Sequence, residues 1–178
     1  MRLKNIVELN NELQAEGKEL LKELDILNKL SRLGKLDIGG SFVYGTMVDR
    51  DIDIAILTSQ LTIKDRARVM DLVSAISQVS RISMVDYVNY PRDDRGVTIW
   101  IGLTIPYRKE VWNIDLTLAD PKSPDVHTNM LLHKSMLKID DKRRYKILKI
   151  KYRSLKSGTK VKGQTSSETY KKVLNIKG

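Results

Sequence analysis

The chain has no cysteine in 178 residues, which excludes disulfides and thiolate metal sites and fits a reducing, cytoplasmic setting. Histidine is almost as scarce. His127 and His133 are the only two, their spacing suits neither a helical zinc pair nor a third soft ligand, and each is expected in surface or core packing. No stretch approaches the ~18 uninterrupted apolar residues of a membrane-spanning helix. The opening Met1-Arg2-Leu3-Lys4-Asn5 leads into an acidic amphipathic segment instead of a signal-peptide core. Acidic charge is missing at one end: residues 134–178 hold 15 Lys+Arg against 3 Asp+Glu. The whole chain nets +10, so everything before residue 134 is slightly acidic. What remains, 41% hydrophobic and 30% charged, is the composition of a globular chain with an ordinary core.

The chemistry is concentrated in residues 39–53, Gly-Gly-Ser-Phe-Val-Tyr-Gly-Thr-Met-Val-Asp-Arg-Asp-Ile-Asp. Asp51-Ile52-Asp53-Ile54-Ala55-Ile56-Leu57 alternates with the period of a strand, so Asp51 and Asp53 share one face, about 6.6 Å apart along it. Asp is a poor strand former. Two carboxylates at that separation repel by about 2 kcal/mol at an effective dielectric near 20, and a hard divalent cation reverses the sign of that interaction. The simpler reading, a wet edge strand, is weakened by what precedes it. Lys35-Leu36-Asp37-Ile38 is a short strand candidate, and Gly39 and Gly40 let the backbone approach a ligand closely. Ser41 is placed to cap a short helix through Tyr44, whose first N–H groups suit an anion such as a triphosphate.

Gly40-Ser41, Gly45-Thr46 and Asp51-Ile52-Asp53-Ile54 together resemble the nucleotidyltransferase superfamily that includes DNA polymerase β. That family has a third acid on a later strand, and Asp115 within Asn113-Ile114-Asp115-Leu116-Thr117-Leu118 is the match, with Asp86 in Ile82 to Val88 as the substitute. The likeness runs over about residues 35 to 118, with weaker echoes beyond. It implies an α+β fold, a mixed β-sheet with helices packed on one face and a small helical tail. It also implies transfer of a nucleoside monophosphate from an NTP, with Asp51, Asp53 and Asp115 holding two Mg²⁺ ions and Gly40 and Ser41 holding phosphates. Arg50 departs from the small residue usual before the first acid, and no role is assigned to it. Asp37, Asp49 and Asp120 read as solvated or capping carboxylates.

Two units are expected: residues 1–122, carrying the transferase motifs and an N-terminal helix, and a basic helical region over 123–178. Ile6 to Leu33 reads as helix from its leucine spacing, with Gly17 as the point of division and Glu8, Glu12, Glu16, Glu19 and Glu23 on the outer side. Thr62 to Val79 is a second helix, Tyr90 to Gly96 a turn, and Ala119 to Pro124 a connector. In the tail, Asp140 to Lys156 is helical with Ile147, Leu148, Tyr152 and Leu155 as its buried stripe, and Ser167 to Ile176 forms a last helix. The basic face is a solvated surface, a triphosphate contact or a nucleic-acid backbone footprint. Resemblance points to Arg143 and Lys149 for the triphosphate. Few aromatics accompany the charge, so a single-strand stacking platform is not expected in the tail. The acceptor is left open. An RNA end such as that of tRNA is favoured, against a small antibiotic, a protein hydroxyl, or a non-catalytic antitoxin-like module, with a homodimer or a toxin as alternative partners.

Overall fold

The computed structural model describes residues 4–58, 71, 76, 81–86, 98–122, 124–157 and 165–176. Helices α1 (Lys4–Glu23) and α2 (Ile26–Ser31) lead into strand β1 (Lys35–Gly39), a one-turn helix α3 (Gly40–Tyr44) and strand β2 (Asp51–Leu57). Strands β3 (Arg81–Asp86), β4 (Thr98–Tyr107) and β5 (Glu110–Ala119) follow, then helices α4 (Pro124–Met136), α5 (Asp141–Lys156) and α6 (Ser166–Leu174). The sheet order is β1-β2-β5-β4-β3. Among the described strands, only β2 and β5 pair in parallel; β1–β2, β4–β5 and β3–β4 are antiparallel. This is the expected mixed sheet of an α+β fold.

Alternation sorts each strand between two faces. Ile52, Ile54 and Ile56 on β2 and Ile114, Leu116 and Leu118 on β5 are buried against Leu13, Leu20 and Leu30 of the first two helices and Leu24 of the turn between them. The opposite sheet face carries the polar residues of the same strands. A second cluster, including Tyr44, Met136, Ile147 and Tyr170, joins the C-terminal helices to α3.

The N-terminal helix breaks at Asp25, whose φ of 53° is left-handed, and not at Gly17. Gly17 sits mid-helix because the core needs it small. A Cβ there would lie 2.9 Å from Phe42 Cε2 and 3.0 Å from Trp112 Cη2. Gly17→Val is therefore expected to destabilise the fold by about 2 kcal/mol through overpacking, read as a lower denaturation midpoint. Glu16, expected on the outer side, turns inward: it accepts from Trp112 Nε1 at 3.2 Å and pairs with Arg50 at 3.3 Å. Arg50 also meets Glu110 at 3.4 Å, which gives that residue a tethering role.

In the tail, α5 starts where expected, with the Asp140 carboxylate accepting from the Arg143 N–H at 2.7 Å. Ile147 and Leu148 are buried, but Leu155 is 49% exposed and leaves the predicted stripe. The predicted helix Thr62 to Val79, apart from helical Asp71 and buried Ile76, lies outside the described residues, as do the turn Tyr90 to Gly96, Lys160 and Lys162. Among the described residues, no helix is long and apolar enough to cross a membrane.

Candidate active site

Because Ile52 and Ile54 point into the core, Asp51 and Asp53 must stand on the other face of β2. The parallel pairing then decides which acid joins them. It sets Asp53 opposite Asp115 and Asp51 opposite Asn113. One carboxylate oxygen from each of Asp51, Asp53 and Asp115 lies within 4.8 Å of the others. Asp86 ends the edge strand β3, separated from β2 by β4 and β5, so the substitute third acid is ruled out.

The carboxylates reach solvent through the surrounding clefts, yet enough protein stands around them to strip much of their hydration. Burial, then the charges of Asp53 and Asp115, push Asp51 up to about 7. Asp53 is raised as well, by burial first and Asp115 second, with Lys151 opposing. Lys151 itself is lowered by burial and held up by Asp49, Asp53 and Asp51. All three clustered donors are carboxylate oxygens, the ligand class of hard divalent cations. An ion with oxygens at about 2.1 Å spans ligand pairs about 3–4 Å apart, so small side-chain rotations would close the cluster on it. These residues fit Mg²⁺.

Next to this cluster, Gly40 adopts a φ of +65°, and a Cβ on it would fall 1.7 Å from Asp53 Oδ2. Any side chain there is strained and displaces the Asp53 carboxylate. Ser41 does not cap α3: the N-cap is Gly39, which makes no side-chain cap, and Ser41 is buried behind Gly40 inside the helix. Its carbonyl accepts from the N–H of Thr46 and of Gly45, which closes the turn leading to β2.

Among the described residues, two cavities flank the acids. The first, about 320 Å³, opens between the sheet and the C-terminal helices and is lined by Asp53, Gly40, Tyr44, His133, Ser167 and Tyr170, among others. Tyr44 Oη lies 3.0 Å from His133 Nδ1, and the Tyr44 ring meets Tyr170 edge-on at 5.5 Å. Tyr170 Oη pairs with Thr46 Oγ1 at 3.2 Å, and Lys151 Nζ stands 6.0 Å over the Tyr170 ring. Burial, above all, pushes both phenols up to about 12, so they remain protonated hydrogen-bonding groups. The second cavity, about 480 Å³, runs along the sheet past Asp49, Asp51, Asp115, Asn113, Thr104 and Trp100.

No family model and no curated protein matches the sequence. Solved structures do. The Cid1 poly(U) polymerase superposes with a TM-score of 0.61 at 20% identity, covering 96% of this chain and 52% of that one. The GLD-2 poly(A) polymerase in its complex with GLD-3 gives 0.63 at 13% identity, covering 94% and 56%. A cytoplasmic RNA terminal U-transferase gives 0.56 at 18%, covering 96% and 52%. The fold is that of the polymerase β-like nucleotidyltransferases. The chain spans about half the length of these matched chains.

Within the nucleotidyltransferase fold, the structure gathers Asp51, Asp53, Asp115 and Gly40 at one place but sets Arg143 and Lys149 apart from it. Successive helical residues step by about 100°. Lys151 therefore shares a face with Arg144, Ile147 and Leu148, whereas Lys149 stands about 160° and Arg143 about 80° from Lys151 around α5. Arg143 is exposed and pairs with Asp140 at 3.3 Å. Arg144 donates from Nε to the Tyr44 carbonyl at 3.2 Å and so fixes α5 against α3. Lys151 and Tyr170 were legible only from helical phase: each falls on the buried side of its helix. His133 lines the cleft where packing alone was expected.

The raised Asp51 carries a stability signature. Its carboxyl keeps a proton in the fold that the unfolded chain, titrating near 3.8, has already lost. That contribution is fully present below about pH 4 and disappears as pH rises through about 7. In metal-free buffer the melting temperature should fall over this window by more in the wild type than in Asp51→Asn. Adding Mg²⁺ at pH 8 should raise it in the wild type and leave the variant nearly unmoved.

Proposed function

We propose that the chain transfers a nucleoside monophosphate from an NTP to a hydroxyl at an RNA end. The convergence of Asp51, Asp53 and Asp115 within 4.8 Å beside Gly40 carries this reading. Similarity to polymerases and a terminal transferase of RNA supports the acceptor class. The excess of Lys+Arg after residue 133 is the right sign for a phosphate backbone.

In this reading, Asp51, Asp53 and Asp115 hold two Mg²⁺ ions. When bound, such ions neutralise the triphosphate and acidify the attacking hydroxyl. The NTP occupies the cleft between the sheet and the C-terminal helices. Gly40 presents its backbone to the phosphates, and Ser41 behind it shapes that turn and offers its hydroxyl once uncovered. Lys151, held next to the acids, supplies a cation for the phosphates, with Arg143 and Lys149 as outer charges on the same helix. Tyr170 and Tyr44 form an aromatic wall for the base. Asp115, which lines the second cavity, orients the acceptor hydroxyl and accepts its proton in this reading. The work left to the protein is positioning and charge stabilisation.

Incubation with each labelled NTP, Mg²⁺ and short single-stranded RNA tests the proposal. The expected product is RNA lengthened at its 3′ end, absent in the Asp51→Asn/Asp53→Asn double variant. Label on protein or on small hydroxyl compounds, with RNA unlabelled, would reject the RNA assignment. RNA affinity should also fall steeply with salt.

A further inference from the structure

The second cavity holds a feature that the acid cluster does not explain. Trp100, Gly102 and Thr104 alternate along β4, and their cross-strand partners on β5 are Thr117, Asp115 and Asn113. All three therefore share the sheet face of the carboxylates. Of the two tryptophans, Trp112 is fully buried in the core, while Trp100 is half-buried and lines the cavity. Its indole does not stand upright from the strand. A Cβ built on Gly102 would lie 2.7 Å from Trp100 Cη2, 2.9 Å from Cζ2 and 3.5 Å from Cζ3. Three atoms of the six-membered ring thus lie over the bare glycine backbone. The outer edge of the indole therefore lies over Gly102, whose cross-strand partner is Asp115, and the ring lines the cavity.

Charge narrows what such a surface takes. Among the described lining residues the one cation is Arg50, and Glu16 and Glu110 already hold its guanidinium. Asp49, Asp51 and Asp115 surround it with the opposite sign. A run of phosphates finds no counter-charge here, but a flat uncharged ring does find a partner, since every base has a face for stacking. The ring would lie one strand away from the acid placed to orient a hydroxyl.

We infer that Trp100 is the stacking platform for the terminal nucleoside of the RNA acceptor, held flat by Gly102 so that the nucleoside's hydroxyl faces Asp115. This inference rests on the nucleotidyltransferase reading and names the acceptor side of that same site. It makes Trp100 a positioning residue for the acceptor, with no part in holding the NTP.

Short oligoadenylates with a normal or an abasic 3′-terminal nucleotide test it. Stacking of this kind contributes about 10-fold or more to affinity. Trp100→Ala should raise the acceptor KM by about that factor, leave the NTP KM unchanged, and be partly rescued by Trp100→Phe. With the abasic oligonucleotide, wild type and Trp100→Ala should become equal. Equal penalties on both oligonucleotides, or a raised NTP KM, would overturn the inference. Binding without turnover separates its failure from that of the parent reading. Trp100 is the fluorophore that lines the cavity, so the normal oligonucleotide should quench emission and the abasic one should not, whether or not transfer occurs. No differential quenching overturns the platform even if RNA is extended. Transfer to protein or small hydroxyl compounds, together with no quenching by RNA, overturns both.

Discussion

Asp53→Asn should abolish nucleotide transfer, by about 1,000-fold or more, while making the protein more stable to heat. The loss follows from removing one of three anionic oxygens that converge within 4.8 Å from a site whose catalysis is mostly charge stabilisation. The gain follows from the same geometry. Burial and the neighbouring Asp115 already raise Asp53 above its ordinary range, so ionised Asp53 is held against a penalty. An isosteric amide removes the charge and keeps the shape. Steady-state transfer rates and thermal denaturation in metal-free buffer provide the two readings. A stable but inactive variant is expected; an active one, or an inactive one that melts earlier, contradicts the role. Activity-linked acids that lower stability are a common signature of sites kept for function.

The second large effect is expected from a single methyl group. Gly40→Ala puts a Cβ 1.7 Å from Asp53 Oδ2 at a φ of +65°. The backbone penalty is about 1–2 kcal/mol, which the fold should survive. The carboxylate has to move, however, and transfer should fall nearly as far as in Asp53→Asn. Gly39→Ala is the control. Gly39 has a φ of −124°, and its nearest contact for a Cβ is Tyr44 Oη at 3.8 Å, an ordinary van der Waals distance. It should retain near-wild-type rates. If the two alanine variants behave alike, the close approach between Gly40 and Asp53 has no functional weight.

Period-two alternation was enough to read Asp51 and Asp53 onto one face and Asp115 onto a strand. Their meeting was not contained in that local pattern. It depends on β5 entering the sheet beside β2 in parallel and in a register that opposes Asp53 to Asp115. The pairing is long-range, and the family resemblance, not the spacing, supplied it. Two local readings failed for reasons of tertiary context. Gly17 looked like a helix break but is a space for Phe42 and Trp112, while Asp25, unremarkable in sequence, takes the left-handed turn. Ser41 looked like a cap but is enclosed, because Gly39 takes that position and the helix is only one turn long. In α5, composition marks the whole helix as basic, and phase then sorts its charges by side. Ile147 and Leu148 define the inward side, and Lys151, not Arg143 or Lys149, lies on it next to the acids. Trp100, which no local motif singles out, lies on the acids' face of the sheet through its pairing with β5.

Mn²⁺ binding, followed by electron paramagnetic resonance with and without NTP, most directly tests the joint role of the acids. Wild-type protein should bind the ion, more tightly once NTP is present, and Asp51→Asn, Asp53→Asn and Asp115→Asn should each weaken that binding severely. Undiminished Mn²⁺ affinity in Asp115→Asn would show that the acid from the second strand belongs to no shared site.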